Sequence, residues 1–432
     1  EGPPAASRRP RQPRGRQPEP RRGPGQPPRP PRPPLRAPPR PHPAPRPLRA
    51  DQRGDTAWQG MGKGKESMPK CETVDVPREP GRGCLEHVGP PERVAIFEGT
   101  RRARAHATRR AVAIYNPASG RSRGQRAAEK LRVLLEKLAP EMSVELFATE
   151  RAGHASEICR GLALRAGDTV VSVGGDGTLS EVVTGLMSRP GWEGERAGVA
   201  LAVVAAGTGN TMASDLGMTS VRLTVEGIVA GNVRDIDIME AKFVNGLPGA
   251  GASAGTGGGA RVTRYMCNVM GFGLAVDSNI LAEELRWMGG LRYDAATLRE
   301  IYKSRPRHTT LTVDGEIIES DMTLILGLKN QTTGKNFHMC PRAQMDDGKL
   351  DILVLPNKSR METLRLFQAV KSGGKHVYDE SVRYVRAQHS VKIETPRPEA
   401  INIDGENCGS TPLDLKVLPG ALGVIVPRGS VP

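Results

Sequence analysis

The sequence predicts an α/β domain built on a parallel sheet, followed by an antiparallel β-sandwich and preceded by a disordered tail. Between about residues 111 and 232, short apolar runs alternate with stretches of helical periodicity, the pattern of strands and crossover helices. Beyond 232, strand-like runs dominate, and many alternate apolar with polar residues as half-exposed antiparallel strands do. The first 110 residues show neither pattern.

That opening segment explains the charge. The formal net charge is +15, but residues 1–110 hold 25 Lys and Arg against 11 Asp and Glu, or +14, leaving +1 for residues 111–432. The basic balance therefore belongs to the tail, and no nucleic-acid partner is expected for the rest. Residues 1–50 carry 19 of the 37 prolines and 13 arginines, and such a composition cannot bury enough apolar surface to order itself. A solvated tail, a segment drawn to anionic lipid headgroups and a transit peptide all fit an Arg/Pro-rich, acid-poor stretch. The first residue is Glu1 rather than Met, which leaves the natural start open; Met61 is one candidate. The six cysteines are scattered with no C-x-x-C spacing, which fits a reducing compartment and a cytoplasmic location. No apolar run of about 18 residues exists, so any lipid must be met peripherally, at a membrane surface.

The elements follow in order. Residues 111–115 are a short apolar run ending in the turn Asn116-Pro117-Ala118-Ser119-Gly120. Residues 125–138 place Ala128, Leu131, Leu134, Leu135 and Leu138 at helical spacing. A strand is expected at 144–148, a helix at 154–165, a strand at 169–173 and a helix at 179–188. A strand at 199–204 then leads into Gly207-Thr208-Gly209-Asn210 and a short helix. The second domain, 233–427, is read as strands at 234–243, 264–271, 309–314, 321–328, 349–355, 390–395, 400–404 and 413–426. Helical stretches interrupt it at 275–303 and 360–370, and a Gly/Ala-rich insertion spans 245–260.

The chemistry concentrates at Gly174-Gly175-Asp176-Gly177-Thr178 and Glu181. Glycines directly after a buried strand let backbone N–H groups approach phosphates, and the helix that follows adds its dipole. A carboxylate there, Asp176, can orient a metal or accept a proton. The same residues could also form a capped turn. No G-K-[ST] follows, so this is not a Walker loop, and it is not G-x-G-x-x-G.

This segment resembles the G-G-D-G-T signature of diacylglycerol, sphingosine and ceramide kinases and, more distantly, of NAD kinases and phosphofructokinases. Asn116-Pro117-x-Ser119-Gly120 is similar to the first nucleotide loop of that lipid-kinase family, and Thr149 with Gly153-His154-Ala155 to a second patch. Gly207-Thr208-Gly209-Asn210 matches G-[ST]-G-N, Asp404-Gly405-Glu406 matches D-G-E, and the segment 341–351 resembles the family's C-terminal domain. The resemblance covers about 111–427 in order. It implies a Rossmann-like parallel sheet of the NAD kinase and phosphofructokinase type, ATP and Mg²⁺ as cofactors, and a lipid substrate. By resemblance, Asn116, Ser119, Thr149, Gly174, Gly175, Gly177, Thr178, Glu181, Gly207, Thr208, Asn210, Arg286, Arg292 and Glu406 would hold nucleotide. Asp176 would accept the hydroxyl proton, with Asp404 the rival, and Asp176 with Asp237 would lie near the metal, joined by Asp215.

Finer features look like sphingosine kinases. Residues 181–193 resemble their helix and loop, and 271–277 their lipid-pocket opening, which would make Phe272, Leu274 and Asp277 substrate residues. A carboxylate at 277 would pair with a sphingoid ammonium, which diacylglycerol lacks; it could equally cap a helix. Ten apolar residues (Leu274, Val276, Ile280, Leu281, Leu285, Trp287, Met288, Leu291, Leu298 and Ile301) could wall a lipid cavity or simply pack a core. Ala205, Ser180 and Arg121-Ser122-Arg123 depart from the family pattern without removing a phosphate-cradling group. The expected function is phosphorylation of a sphingoid base on its primary hydroxyl. A diacylglycerol or ceramide kinase, a silent lipid- or nucleotide-binding module and an NAD kinase are the competing readings.

Overall fold

Residues 110–115, Arg-Ala-Val-Ala-Ile-Tyr, are apolar at both alternating positions, so the strand they form must be covered on both faces. The computed structural model describes residues 95–97, 103–248, 259–303, 305–333 and 337–427, and within it four central residues of this strand are fully buried. The expected tail at 1–110 lies mostly outside the described residues, as do residues 249–258 of the expected insertion.

The first half alternates as the sequence implies. After β1 (Arg104–Ala105) come β2 (Arg110–Tyr115), α1 (Ser119–Leu138), β3 (Ser143–Ala148), α2 (His154–Gly161), β4 (Asp168–Gly174) and α3 (Asp176–Met187). Then follow α4 (Trp192–Glu195), β5 (Val199–Ala205), α5 (Thr211–Asp215) and α6 (Val221–Ala230). Strands β3, β2, β4 and β5 lie side by side and all pair in parallel. Helix α1 packs on α6, and α2 packs on α3. Helix α1 turns Ala128, Leu131 and Leu135 inward at i, i+3, i+7 spacing.

The second half comprises β6 (Asn232–Asn245), β7 (Arg261–Met266), β8 (Val269–Gly273), α7 (Leu274–Glu284), a 3₁₀ turn at Arg286–Leu291, α8 (Arg292–Lys303), β9 (Arg307–Val313) and β10 (Glu316–Leu328). It ends with β11 (Leu350–Pro356), α9 (Arg360–Lys371), a 3₁₀ turn at Lys375–Tyr378, β12 (Arg383–Ala387), β13 (Ser390–Glu394), β14 (Ala400–Ile403) and β15 (Glu406–Ile425). These strands pair antiparallel and enclose a second core around Phe243, Met270, Phe272, Ile352 and Leu415. Helix α9 opens with a capping box, Ser359 and Glu362 each bonding the other's backbone.

Several boundaries differ from expectation. The ordered part starts before 111: Arg104 pairs with Val233, Phe97 is buried, and the Arg234 guanidinium lies 5.0 Å from the Phe97 ring centre. The two halves share one sheet rather than meeting at 232. The 20-residue β15 pairs with β14, β13 and β6, then with β5 in parallel at Val424 and Leu201, so the end of the chain completes the first core. The expected strand 264–271 is split at Cys267-Asn268, whose amides turn to the Asp404 carboxylate. The expected helix 275–303 breaks at Gly289, where φ is +60°. Helix α6 and strand β12 were not anticipated; β12 has arginines in its pattern and buries only Tyr384, Val385 and Ala387.

One buried ionic node ties strands from both ends of the second half. Lys329 is 1 % exposed and its ammonium lies 3.0 Å from Asp237 Oδ2 and 2.9 Å from Asp347 Oδ1, with the Lys349 carbonyl also accepting. Removing one partner of such a group leaves an uncompensated charge in the interior. Lys329→Met should therefore lower stability by about 3–5 kcal/mol in urea denaturation; a loss below about 1 kcal/mol would show that water reaches the node.

Candidate active site

The parallel strands order as β3-β2-β4-β5, so the chain leaves β2 to one side and returns on the other. The crevice at the carboxyl ends of β2 and β4 is the switch point where open α/β sheets bind ligands. Three loops line it: 116–120 after β2, 174–177 after β4 and 206–211 after β5.

These loops are held against one another by contacts that require small residues. A Cβ on Gly207 would come 2.2 Å from the Gly175 Cα, and one on Gly120 would come 2.3 Å from the Ala206 carbonyl oxygen. The Gly207 amide donates to the Gly174 carbonyl at 2.9 Å and to Asn210 Oδ1 at 3.0 Å. Asn210 returns a bond from Nδ2 to the Gly207 carbonyl at 3.1 Å. Arg123 clamps the first loop to the third, donating to Gly120 O at 2.9 Å and Gly207 O at 3.0 Å. Asn116 Oδ1 accepts the Ala118 amide at 2.9 Å, while Gly120, Arg121 and Ser122 all have left-handed backbone. Ser119 follows Asn116 in the same turn, its amide donating to the Asn116 carbonyl. Thr208 lies on the third loop between Gly207 and Gly209.

Asp176 begins α3 and accepts the Thr211 amide at 2.8 Å and the Thr211 hydroxyl at 3.1 Å. Burial pushes its carboxyl up, and the bonds from Thr211 and Met212 pull it back. Asp176 thus braces the glycine loop against the third loop. Thr178 folds back on Gly174, where a Cβ would meet its hydroxyl at 2.4 Å. Glu181, one turn further, accepts the Gly153 amide at 2.7 Å and the Ala155 amide at 3.1 Å, capping the N-terminus of α2. Thr149 sits where β3 ends, its amide donating to Tyr115 O.

Asp404 lies in the turn between β14 and β15, 2 % exposed and with φ of +50°. Oδ1 accepts the amides of Asn268 at 2.8 Å and Val269 at 3.1 Å; Oδ2 accepts the Cys267 amide at 3.2 Å and faces the Cys267 thiol at 3.7 Å. The Ser180 hydroxyl of α3, from the other half of the chain, helps to hold the carboxyl down. Burial nonetheless pushes the Asp404 carboxyl up to about 6. On its other side, Asn279 Nδ2 of α7 donates to Gly405 O at 2.9 Å. Glu406 pairs with Arg264 at 2.9 Å and faces the glycine loop, since a Cβ on Gly177 would lie 3.0 Å from its Oε1. Ser180, Cys267, Asn279, Arg264 and Thr211 were not anticipated. Ser180 departs from the family pattern, and the others carry no periodic signal.

Helices α7 and α8 border a small cleft lined by Leu274, Asp277, Glu300, Ile301, Arg305, Thr323 and Thr363. Asp277 is held there by Arg307, whose Nη2 lies 2.9 Å from both carboxylate oxygens and whose Nε donates to Glu399 at 2.6 Å. Phe272 is not part of the cleft wall: it is fully buried in the second core beneath Arg307. Of the ten apolar residues, Leu274 and Ile301 reach the cleft, whereas Ile280, Trp287, Leu291 and Leu298 are exposed. Arg292 stacks on Tyr293 at 4.6 Å and pairs with Glu283 at 3.4 Å, bonds that stay within α7 and α8. The Arg286 side chain lies outside the described residues.

The expected acidic network divides. Asp237 is bound to Lys329 and to the amides of Gly348 at 2.6 Å and Gly420 at 2.9 Å. Asp215 is bound to Thr332 at 3.1 Å, and burial pushes it up to about 6. Among the described residues, no three His, Cys, Asp or Glu converge as a metal site. Asp176 and Asp404 are oxygen donors of the type Mg²⁺ takes, one or two carboxylates beside substrate phosphates.

Comparison with known proteins agrees along the chain. The diacylglycerol kinase catalytic domain matches residues 110–241, and the YegS C-terminal NAD kinase beta sandwich-like domain matches 268–426. The chain is 27 % identical to a diacylglycerol kinase of Bacillus subtilis over 327 residues, covering 74 % of this chain and 97 % of that protein. It is 29 % identical to a diacylglycerol kinase of Mycobacterium tuberculosis over 331 residues, covering 75 % and 97 %. It is 27 % identical to sphingosine kinase 1 of Arabidopsis thaliana over 344 residues, covering 67 % of each. The solved structure of a diacylglycerol kinase from Bacillus anthracis shares the fold, with a TM-score of 0.51 at 19 % identity over 75 % of this chain and 98 % of that one.

The loop contacts give a direct test. Gly207→Ala forces its Cβ into the Gly175 backbone, so nucleotide titration should show affinity reduced by at least about tenfold, or ~1.4 kcal/mol. Unchanged affinity would mean that the loops do not form the phosphate cradle.

Proposed function

The chain belongs to the family of lipid kinases that carry the diacylglycerol kinase catalytic domain, and from that premise we propose that it transfers the γ-phosphoryl group of ATP to the primary hydroxyl of a sphingoid base. The observation that carries the reading is the position of Asp404. Its turn places Glu406 against Gly177 of α3 and is bonded to α7, which borders the acceptor cleft, through Asn279. A carboxylate held beside both elements would accept the hydroxyl proton when phosphate is transferred.

The glycine loops at 174–177 and 206–210 would cradle the phosphates, and α3 adds its N-terminal dipole. Mg²⁺ would be held by Asp176 and the phosphates, where it neutralises charge developing on the transferred group. Asp404 accepts the proton. A base with a pKa of about 6 is ionised at neutral pH yet keeps affinity for a proton, as general-base catalysis favours. Asp176 positions the loops. Glu406, anchored by Arg264, faces the glycine loop on the nucleotide side.

The amine partner in this reading is Asp277, which lines the acceptor cleft. A second reading, with diacylglycerol or ceramide as acceptor, is favoured by one contact: Arg307 already neutralises Asp277, leaving less charge for an ammonium. Either lipid is reached from a membrane surface. Among the described residues, no helix is long and apolar enough to cross one.

Phosphate transfer to sphingosine, diacylglycerol and ceramide should be compared side by side. The sphingoid reading predicts preference for sphingosine, reduced about tenfold or more by Asp277→Asn through loss of a charge-assisted bond. Preference for diacylglycerol, unchanged in that variant, would replace it with the second reading. The pH profile tests the base. Asp404 is active when ionised, so kcat/KM should rise with pH and level off above about 6. Asp404→Asn should lower the rate by about 10²–10⁴ and remove that limb; a limb that persists would assign the proton to another group.

A further inference from the structure

One polar residue interrupts the apolar run Met322-Thr323-Leu324-Ile325-Leu326 of β10. It sits where the strand is irregular. Met322 lies opposite Pro356 of β11 and Leu324 opposite Leu355, so Thr323 is the extra residue of a bulge. The bulge re-aims the side chains around it. Met322 packs in the second core, whereas Leu324, two positions on, packs with Leu326 and Leu366 of α9. The Thr323 carbonyl leaves no room for a Cβ on Gly273, the residue before α7. Thr323 therefore stands beside the first turn of α7, which carries Asp277, and both residues line the acceptor cleft.

Two hydroxyls belong to the wall of this cleft, those of Thr323 and Thr363. Thr363 donates to the Ser359 carbonyl at 3.0 Å. Thr323 is 4 % exposed, and its hydroxyl has no hydrogen-bond partner among the described residues. A buried hydroxyl left unpaired costs stability that a valine of the same shape would not. A polar group on a bound lipid would satisfy it.

The neighbouring carboxylate indicates which group that is. Arg307 Nη2 bonds both oxygens of Asp277, and Arg307 Nε is held by Glu399. Each Asp277 oxygen keeps room for one more donor. Those two positions match the ammonium and the adjacent hydroxyl of a sphingoid head. Thr323 then meets a third polar group, one step along the chain. A hydroxyl fits there, because it can donate to Thr323 or accept from it.

We propose that Thr323 is a specificity-determining residue: its hydroxyl pairs with a secondary hydroxyl on the chain carbon next to the amino-alcohol head, so that the cleft selects hydroxylated sphingoid bases over those with a plain saturated chain. The proposal rests on the sphingoid reading of the cleft, but its test separates lipid selection from phosphate transfer.

Phytosphingosine and sphinganine differ by that one hydroxyl. Transfer to each by the full chain gives a ratio of kcat/KM, and titration with water-soluble short-chain forms gives binding without ATP. Wild type should favour phytosphingosine by about tenfold or more in both measurements, because sphinganine leaves the Thr323 hydroxyl unpaired. Thr323→Val should bring the two bases within about twofold of each other, without lowering the thermal midpoint of the free protein. Thr323→Ser, which keeps the hydroxyl, should retain the preference. Equal use of both bases by wild type, or a preference that survives in Thr323→Val, would overturn the proposal. A midpoint lowered by the valine would overturn it too, by revealing a partner for the hydroxyl inside the protein. Discrimination in binding that Thr323→Val removes, with neither base phosphorylated, would defeat the kinase reading and keep the assignment of Thr323. Failure of both bases to bind would overturn that assignment.

Discussion

The structure depends on how one buried carboxylate is satisfied. Asp404 is almost wholly removed from water, and its oxygens are met by three consecutive amides and a thiol. Those donors come from the turn between β7 and β8 and the start of β8, so burying the carboxylate depends on β14 pairing with β8. An unsatisfied buried charge would cost several kcal/mol. The left-handed backbone at Asp404, uncommon for a residue with a side chain, is retained at this point. The same demand splits what would otherwise be one continuous strand at Cys267-Asn268.

The second constraint is close approach of backbone. The first and third loops touch through glycines that leave no room for a Cβ, and Asp176 and Arg123 hold the contacts with side-chain bonds. The crowding leaves no room for side chains where the loops meet. We read function in the joining of the two constraints: a glycine-lined crevice in one half, a buried carboxylate from the other, and the small cleft bordered by α7 and α8. The 20-residue β15 fixes that arrangement covalently, starting beside the carboxylate and finishing in the first core.

Much of this was legible in the sequence where one short run determines the outcome. The apolar runs at 111–115, 169–173 and 199–204 announced strands buried on both faces, and the glycines after them marked turns that close on one another. The alternation after 232 announced an antiparallel half. What stayed hidden depends on residues far apart in the chain. Asp237 and Asp176 are both carboxylates near short motifs, yet one is neutralised by Lys329, 92 positions away, and the other braces Thr211. Phe272 has the composition of a pocket residue, but it points into a core that only the pairing of β8 with β10 and β14 creates. Helical spacing made Trp287 and Leu298 look like cavity walls; which side of α8 faces inward is set by α7 and α9.

The central claim is that Asp404 takes the proton while the glycine loops hold the nucleotide, so binding and transfer should separate. Single-turnover transfer of radiolabelled phosphate from ATP to sphingosine, measured with nucleotide affinity in wild type, Asp404→Asn and Asp176→Asn, tests it directly. The account predicts that Asp404→Asn binds ATP within about threefold of wild type but transfers little label to lipid. It also predicts that Asp176→Asn weakens nucleotide binding itself. Transfer at the wild-type rate by Asp404→Asn would contradict the account.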